Sequence, residues 1–380
     1  MRLPGILLIA FKLLVNDRGK FSALLLGITF AVFLMVQITS MFAGILGRAS
    51  ASITNIGAAM WVMDPAVKNT VSSIPLPGYL LDAVRSMEGV SYAVPLYVGG
   101  AQARLADGTF QGVSVVGLDD TTLLGRPRML EGRLSDIYAD NAFLVVRDAE
   151  FYKLGSPRIG TVFELNDHRA TVVGLAQVAS NGLFGVPTLY TTYSRAIQYL
   201  PVTRFTASYI LVEPRNAAAA PLIERQVAAL GYQALTREGF VSRVSRFYTF
   251  ETGMGTNILI MTLISFLVGL SISGQTFYTF ILENLEKFGA LKAIGAQGRD
   301  LVAMILFQAA FTSLTGYGLG IGLVVVLMLI ARARLPDYAA TLTGWNLGLA
   351  FAMVLVIAAA SSYIGVRKVL RIEPFDIFRG

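Results

Sequence analysis

The sequence predicts an α-helical membrane protein with four transmembrane helices, arranged as one plus three, and a large extracytoplasmic α+β domain. Three observations give this prediction. Only 14% of the 380 residues are charged, whereas soluble domains carry about 25%. Charged residues are absent from four long stretches of the chain. A long polar insertion separates the first of these stretches from the other three, which follow one another closely.

The four stretches that lack Asp, Glu, Lys and Arg are residues 21–47, 252–282, 301–331 and 338–366. A helix needs about 20 apolar residues to cross a bilayer, so each stretch is long enough. Buried helices of a large soluble core are the alternative, but such helices normally keep a polar face. We therefore predict four spans. The first is too long for the apolar part of a cleaved signal peptide, so we expect it to remain as an anchor.

Lysine and arginine are concentrated in three of the segments that flank the spans. Residues 1–20, 283–300 and 367–380 hold Arg2, Lys12, Arg18, Lys20, Lys287, Lys292, Arg299, Arg367, Lys368, Arg371 and Arg379. The short segment 332–337 holds only Arg332 and Arg334. Because positive residues favour the cytoplasmic side, we expect both termini and residues 283–300 to be cytoplasmic. This bias also accounts for the net charge of +7, so no nucleic-acid partner is expected.

Residues 48–251 are predicted to form the extracytoplasmic domain. Strands are expected at 58–64 and 207–213, and helices at 76–90 and 217–230, since Pro77 and Gly231 mark a helix start and a helix stop. Asp107-Gly108 lies between two alternating apolar runs and indicates a β-hairpin. These elements suggest an α/β module whose two parts lie at the two ends of the insertion.

Residues from about 120 to 200 differ in character and are predicted to form a small β module inserted into this split α/β module. Short apolar runs at 141–146, 161–165 and 170–176 indicate its strands, and the last two flank the turn residues Asn166 and Asp167. His168 is the only histidine of the chain and is expected to be a surface turn residue. The segments near 41–56 and 240–256 are expected to extend the first two spans as a stalk.

Several kinds of chemistry are excluded by the sequence. The chain has no cysteine and a single histidine, and it contains neither a phosphate-binding GxxxxGK[ST] loop nor a GxSxG motif. We therefore expect no enzymatic activity, no metal site and no cofactor on this chain. The predicted spans hold no Asp, Glu, Lys, Arg or His, which argues against a proton pump or an ion-coupled transporter.

Small and polar residues within the spans are predicted to serve helix packing. Gly316 and Gly320, and likewise Gly318 and Gly322, stand four residues apart, a spacing that lets a second helix backbone approach closely. Packing between the spans of one chain is the simpler interpretation, and a dimer face is a special case of it. The polar side chains expected to form hydrogen bonds between helices are Gln37, Asn257, Gln275, Gln308 and Asn346.

A short charged helix is predicted between the second and third spans. Leu285, Phe288, Leu291 and Ile294 recur every three residues, and Gly295 supplies a stop. The charged residues lie largely elsewhere and are Glu283, Glu286, Lys287 and Lys292. A helix that rests on the lipid surface is the alternative, but charges of both signs favour a protein partner over an anionic membrane.

The segment "EKFGALKAIGA" (286–296) resembles the "R-E-F/I-G-x-L-K/R-A-I/L-G-A" signature of the MacB/FtsX-type ABC transporter permeases. Residues 10–28 are similar to the N-terminal helix and first-span entry of that family. The ending "RIEPFDIFRG" (371–380) resembles its C-terminal "P-x-x-x-L-R". The one-plus-three spans and the large outer domain agree with it. "WVMDP" (61–65) resembles the DevC-like members of the group.

The resemblance implies that residues 283–295 are the coupling helix that docks on an ATPase. The residues concerned are Glu283, Glu286, Lys287, Phe288, Gly289, Leu291, Lys292 and Gly295. It also implies a bacterial inner-membrane location, a cytoplasmic ABC ATPase that binds ATP and Mg²⁺, a second permease copy and a periplasmic adaptor. From this we expect that aspartate at Phe288 and Leu291 uncouples the ATPase without unfolding the protein.

One departure from the family concerns charge. The family carries a basic residue and then an acidic one where this chain has Glu286 and then Lys287, so the carboxylate contact is not transferred to Lys287. Two functions stay open at this point. One is export of a lipid, glycolipid, lipoprotein or other hydrophobic cargo. The other is an FtsX-like signal transmitter that activates a periplasmic cell-wall hydrolase.

Overall fold

The structure is a computed structural model and describes residues 3–148, 150–179, 182, 185–199, 206–335 and 338–370. The predicted C-terminal signature at 371–380 lies outside the described residues. The chain divides into two compact units. We call Met1–Gly44 with Gly255–Gly380 the membrane unit, and Ile45–Met254 the outer domain, and each is described by itself.

Most of the described chain is in regular secondary structure. The α-helices, in chain order, are α1 (Leu3–Asn16), α2 (Arg18–Ala49), α3 (Ala51–Ile56), α4 (Gly78–Arg85), α5 (Tyr193–Gln198), α6 (Ala220–Ala229), α7 (Arg237–Arg246), α8 (Met254–Glu283), α9 (Leu285–Ala293), α10 (Gly298–Arg334) and α11 (Gly344–Leu370). The strands are β1 (Met60–Met63), β2 (Val90–Arg104), β3 (Phe110–Leu118), β4 (Arg128–Glu131), β5 (Ala142–Val146), β6 (Val162–Leu165), β7 (His168–Gln177), β8 (Thr188–Thr192), β9 (Tyr209–Pro214) and β10 (Gln233–Thr236).

Four helices of the described chain are long and apolar enough to cross a membrane, and they are α2, α8, α10 and α11. Helices α2 and α10 each contain a whole charge-free stretch, whereas α8 begins two residues after residue 252 and α11 begins six residues after residue 338. Residues 338–343 instead fold back on α2, where the Thr341 amide donates to the Ser40 carbonyl at 2.8 Å. Gly44 lies at this contact, because a Cβ at Gly44 would collide with the Ala339 carbonyl oxygen.

Polar side chains join the helices of the membrane unit at three of the five predicted positions. The Gln308 amide donates to the Ala10 carbonyl of α1 at 2.9 Å. Gln37 of α2 donates to the Tyr338 hydroxyl, and Asn346 of α11 donates to the Ser40 hydroxyl at 3.4 Å. Asn257 and Gln275 are exposed on the surface of α8.

The outer domain is built on ten strands in the order β10-β1-β9-β2-β3-β8-β5-β7-β4, with β6 paired to β2 and β7. The long strand β2 belongs to both parts. Its residues Tyr92–Leu96 pair with β9, and Tyr97–Arg104 pair with β3. The predicted insert is therefore not a separate sheet, because β2 connects its strands to those of the α/β module. It also contains the short helix α5 and the parallel pair β5–β7, and its strand β8 runs parallel to β3, features that an all-β module of hairpins would lack.

Strand β1 is buried on both faces, which explains its uninterrupted apolar run. Met60 and Val62 contact the apolar sides of α4 and α6. Trp61 and Met63 lie on the opposite face with α3 and α7. Helices α3 and α7, which lie in the segments predicted as a stalk, thus pack against the sheet through buried residues such as Ile53 and Val244.

The turns of the outer domain follow the sequence signals closely. The hairpin of β2 and β3 turns at Asp107-Gly108, where Gly108 has a φ of 85°. Asn166 and Asp167 take left-handed backbone conformations between β6 and β7, with φ of 48° and 67°. His168 was expected in this turn, but it is the first residue of β7 and lies over the ring of Tyr199, 4.9 Å between centroids.

Candidate coupling site

Helix α9 is separated from α8 by a single residue, Asn284, which is buried. The Asn284 side-chain amide donates to the Phe280 carbonyl at 2.8 Å, and its carbonyl oxygen accepts from the Lys287 ammonium at 2.8 Å. The Phe288 amide donates to the Asn284 carbonyl at 3.1 Å. Asn284 therefore holds the end of one helix and the beginning of the next.

Helix α9 ends at Gly295 as the sequence predicts. Gly295 has a φ of 100°, a conformation that favours glycine. Its amide donates to the Lys292 carbonyl at 3.1 Å, and the Ala296 amide donates to the Leu291 carbonyl at 3.0 Å. This pair of hydrogen bonds is the Schellman arrangement, which satisfies the last carbonyls of a helix and turns the chain sharply.

The inner side of α9 packs into the membrane unit. Phe288 is completely buried, Gly289 is buried, and Leu285 and Leu291 are half-buried. We call the cluster that receives them the α9 core. It consists of Ile6, Ala10, Leu14, Leu24, Phe277, Phe280, Ile281, Phe288, Leu301, Met304, Ile305, Ala309 and Val369. Phe288 thus contacts this chain, and an aspartate there would bury a charge and destabilise the fold.

The outer side of α9 is exposed and carries Glu286, Lys287, Ala290 and Ala293, followed by Ile294, which is 72% exposed. Ile294 was expected on the same face as Phe288. Each three-residue step on a helix falls about 60° short of a full turn, so Ile294 lies about 120° from Phe288 after two steps and about 180° from Leu285 after three. Glu286 has no ion-pair partner within the described part of the chain. Lys292 is half-buried near the helix end.

An ion-pair cluster joins the α8–α9 junction to the α1–α2 junction. Lys20 forms ion pairs with Glu283, at the end of α8, and with Asp17, at 3.0 Å. The Lys20 amide also donates to the Asp17 carboxylate at 3.3 Å. Because Lys20 is in the first turn of α2, the cluster connects the start of α2 to Glu283, the last residue of α8.

The protonation of Asp17 depends on the same contacts. The hydrogen bond from the Lys20 side chain holds the pKa of the Asp17 carboxyl below its usual value, and the charge of Lys287 acts in the same direction. Lowered carboxyl pKa values are the usual result of a nearby cation. The carboxylate of Asp17 is therefore ionised, and the cluster intact, throughout the neutral range.

The four glycines between residues 316 and 322 of α10 divide into two pairs. A Cβ at Gly316 would lie 2.7 Å from Ile28 Cγ2, and one at Gly320 would lie 2.7 Å from Val32 Cβ and 2.9 Å from the Thr29 carbonyl oxygen. Gly316 and Gly320 thus let α2 approach. Nothing lies within 4 Å of a Cβ at Gly318 or Gly322.

No contact was predicted for Asp17, Lys20 or Asn284. The sequence signal is modest. Asp17 and Lys20 lie just before the charge-free stretch 21–47, and Glu283 lies just after the stretch 252–282. Only the structure shows that these ends meet. In the part of the chain that is described, no group of three or more His, Cys, Asp or Glu side chains is arranged to hold a metal ion.

Two family models match this chain. The MacB-like periplasmic core domain matches residues 22–230, which is more than half of the chain. The FtsX-like permease C-terminal region matches residues 258–374, which include α9. The chain belongs to the MacB/FtsX-type ABC transporter permeases. The resemblance found in the sequence is thereby confirmed. The predicted fold class, a membrane protein with a large outer α/β domain of the MacB type, is confirmed as well.

The permease is also similar to individual proteins. An uncharacterized ABC transporter permease of Mycobacterium tuberculosis (strain ATCC 25618 / H37Rv) is 26% identical over 93% of each chain. The extracellular domain of the noncanonic ABC-type transporter YknZ from Gram-positive bacteria covers 47% of this chain and 98% of its own, with 13% identity and a TM-score of 0.36. The periplasmic region of MacB from Actinobacillus actinomycetemcomitans covers 49% and 92%, with 14% identity and a TM-score of 0.36.

Membership of this family has one direct consequence. ABC permeases are generally not enzymes, and a separate ATPase subunit hydrolyses ATP for them. A partner ATPase is therefore implied for this permease.

Proposed function

We propose that this permease is the transmembrane subunit of an export complex in which a separate ATPase moves the outer domain through α9. The observation that carries the proposal is the two-sided character of α9. Its inner side is packed into the α9 core, and its outer side is exposed and ends in Ile294. A helix held in this way can receive a partner on one side and pass its displacement to the chain on the other.

The path of the displacement begins at the α9 core. This core contains side chains of α1, α2, α8, α10 and α11, so α9 cannot move without them. The ion pair between Lys20 and Glu283 gives α2 a second link to the end of α8. Both α2 and α8 are continuous helices that lead by their own chain into the outer domain. The force is thus carried by packed side chains, as a mechanical transmission requires.

This mechanism needs no polar path through the membrane, in keeping with spans that lack charged residues. The cargo would be a lipid, a glycolipid, a lipoprotein or another hydrophobic molecule, handled outside the cytoplasm. We propose an inner-membrane location with both termini cytoplasmic, a homodimer driven by two ATPase copies, and a periplasmic adaptor as in DevC-like systems. ATP and Mg²⁺ would be bound by the ATPase, and this chain would bind no cofactor.

Docking is tested by replacing an exposed residue of α9. In Ile294→Asp, we expect stimulation of the co-purified ATPase by the permease to fall by about tenfold, because a desolvated apolar contact is worth one to three kcal/mol at an interface centre. Folding should be unchanged, since Ile294 makes little contact with its own chain. The measurement is ATP hydrolysis in nanodiscs, with thermal unfolding recorded on the same samples.

Val71→Asp is the matched control, because Val71 is 60% exposed and lies in the outer domain. It should stimulate the ATPase as the unaltered chain does. Equal stimulation by Ile294→Asp and Val71→Asp would refute docking at this face. Phe288→Asp is not a clean test, since burial of its charge is expected to prevent folding.

Export and signalling are separated by the proteins that bind the outer domain. The solubilised permease is isolated from its native host, and the retained proteins are identified by mass spectrometry. Recovery of an ATPase with a periplasmic adaptor supports export. Recovery of an ATPase with a peptidoglycan hydrolase would replace export by signalling, and recovery of no ATPase would contradict both functions.

A further inference from the structure

The outer domain contains a basic cleft of about 360 Å³ beside α7. Its charged lining residues are Lys68, Arg243, Arg246 and Glu251, so three cations face one carboxylate. Leu235 and Phe247 supply apolar surface, and Ser242 and Gln233 supply polar groups. The volume is within the range of small-molecule sites, about 300–1,000 Å³.

One arginine of the cleft is held in place by its own chain. Arg243 donates through Nη1 to the Gln233 side-chain carbonyl and through Nη2 to the Pro65 carbonyl at 2.6 Å. Both acceptors are neutral, so the charge of the guanidinium is not compensated by them. Arg246, one helical turn further on, is exposed and has no ion-pair or hydrogen-bond partner among the described residues.

The third cation is already paired, but loosely. Lys68 Nζ lies 2.5 Å from Glu251 Oε2, with 51% and 42% of the two side chains exposed. Exposed ion pairs of this kind contribute little, about 0–1 kcal/mol, and are readily exchanged. An incoming anion can therefore take over Lys68 while Glu251 turns to solvent.

A simpler explanation exists for two of the three basic residues, but it does not account for the others that line the cleft. Cations in the last turn of α7 interact favourably with the helix dipole, which accounts for Arg243 and Arg246. Lys68 comes from the loop after β1, and Gln233 comes from β10. Convergence of three separate segments on one concave surface is not explained by the end of a helix.

We propose that this cleft binds a phosphate group, carried by a lipid headgroup or by a soluble molecule. Two guanidinium groups and one ammonium match the charge and the hydrogen-bond acceptors of a phosphate. The cleft is also close along the chain to a membrane helix, because only Thr252 and Gly253 separate Glu251 from the first residue of α8. The inference does not depend on the proposed docking of α9.

Binding is measured by isothermal titration calorimetry of the full chain in an uncharged detergent, without the ATPase. The probes are dihexanoyl phosphatidic acid, dihexanoylglycerol as the uncharged analogue, and inorganic phosphate. Phosphatidic acid should bind and dihexanoylglycerol should not. Phosphatidic acid that binds more than about tenfold more tightly than inorganic phosphate indicates a lipid, and equal affinities indicate a soluble phosphate. Binding of neither phosphate probe would overturn the proposal.

Three variants locate the bound probe. Arg246→Gln should weaken binding by about tenfold, the effect of losing one charge-assisted contact. Arg225→Gln removes the same charge from the exposed surface of α6 and should leave binding unchanged. Glu251→Gln should strengthen binding, because it removes the competing carboxylate. Equal affinities for Arg246→Gln and Arg225→Gln, or no gain in Glu251→Gln, would overturn the proposal.

Discussion

Spans of the membrane unit and turns of the outer domain illustrate two uses of glycine. In the membrane unit, a Cβ at Gly269 would lie 2.4 Å from Ala31 Cβ, and one at Gly320 would lie 2.7 Å from Val32 Cβ. These glycines are helical and allow two backbones to approach. In the outer domain, Gly108 and Gly231 have φ of 85° and 82° and nothing within 4 Å. They supply turns, and the space around them is unimportant.

The burial of large apolar side chains also differs between the two units. In the outer domain, Trp61, Tyr209 and Phe240 are almost completely buried together. In α8 of the membrane unit, Leu259 is 68% exposed and Ile264 is 55% exposed. Lipid is as apolar as leucine, so a span gains nothing by hiding such residues and associates through close packing instead. The outer domain is stabilised by the burial of large side chains, and the membrane unit by close helix packing at small residues.

The largest expected effect is on the outer domain. Trp61→Ala removes a ring whose centroid lies 5.3 Å from Tyr209 and 5.6 Å from Phe240. We expect a loss of about 3–5 kcal/mol, the usual cost of truncating a buried tryptophan. Hydrogen exchange followed by mass spectrometry should show faster exchange in β1, β9 and β10. Exchange in α10 and α11 should not change, and Phe250→Ala, at a side chain 77% exposed, is the control. Faster exchange in α10 and α11 as well would show that burial of Trp61 does not stabilise the outer domain alone.

An intermediate effect is expected in the membrane unit. Gly320→Val forces a side chain against Val32 and the Thr29 carbonyl of α2. Overpacking of this kind costs about 1–3 kcal/mol. Gly322→Val makes the same change two residues further along α10, where nothing lies within 4 Å. Thermal unfolding in detergent should therefore show a lower midpoint for Gly320→Val than for Gly322→Val. Equal midpoints would mean that close approach of α2 and α10 does not stabilise the unit.

The smallest effect concerns the ion-pair cluster. Because Lys20 lowers the pKa of Asp17 in the folded state, Asp17 stabilises the fold at pH values above its unfolded pKa of about 3.9. This contribution is lost as the pH falls through the folded pKa. Asp17→Asn should lower the free energy of unfolding at pH 7 by less than about 1 kcal/mol, as is usual for partly exposed pairs.

The unfolding midpoints of the unaltered chain and of Asp17→Asn are compared over a range of pH values. The difference in unfolding midpoint between the unaltered chain and Asp17→Asn should be largest at pH 6 and should decrease as the pH falls below the unfolded pKa of about 3.9. Asp82→Asn is the control, because Asp82 is 81% exposed and 3.6 Å from Arg85. A difference for Asp17→Asn that persists unchanged at pH 3 would mean that the carboxylate charge is not its cause.

Much of the fold could be predicted because its signals are local. Each charge-free stretch is long enough to span a membrane whatever surrounds it. The stop at Gly295 and the turn at Gly108 follow from the few residues beside them. The prediction was less accurate for the outer domain, because β2 pairs with β9 at one end and β3 at the other, and pairing between distant segments leaves no local pattern.

The sequence by itself determined the four apolar spans, the outer domain, the position of the short charged helix α9 and the family. These rest on composition, periodicity and a contiguous motif, which are properties of neighbouring residues. Only the tertiary structure decided which sides of the helices are used. It selected Gly316 and Gly320 over Gly318 and Gly322, and it placed Phe288 inside and Ile294 outside. It also brought Lys68 to Glu251 and Lys20 to Glu283. The physical reason is that a helix turns by about 100° per residue, so one residue of displacement changes the neighbour, and the neighbour comes from a distant part of the chain.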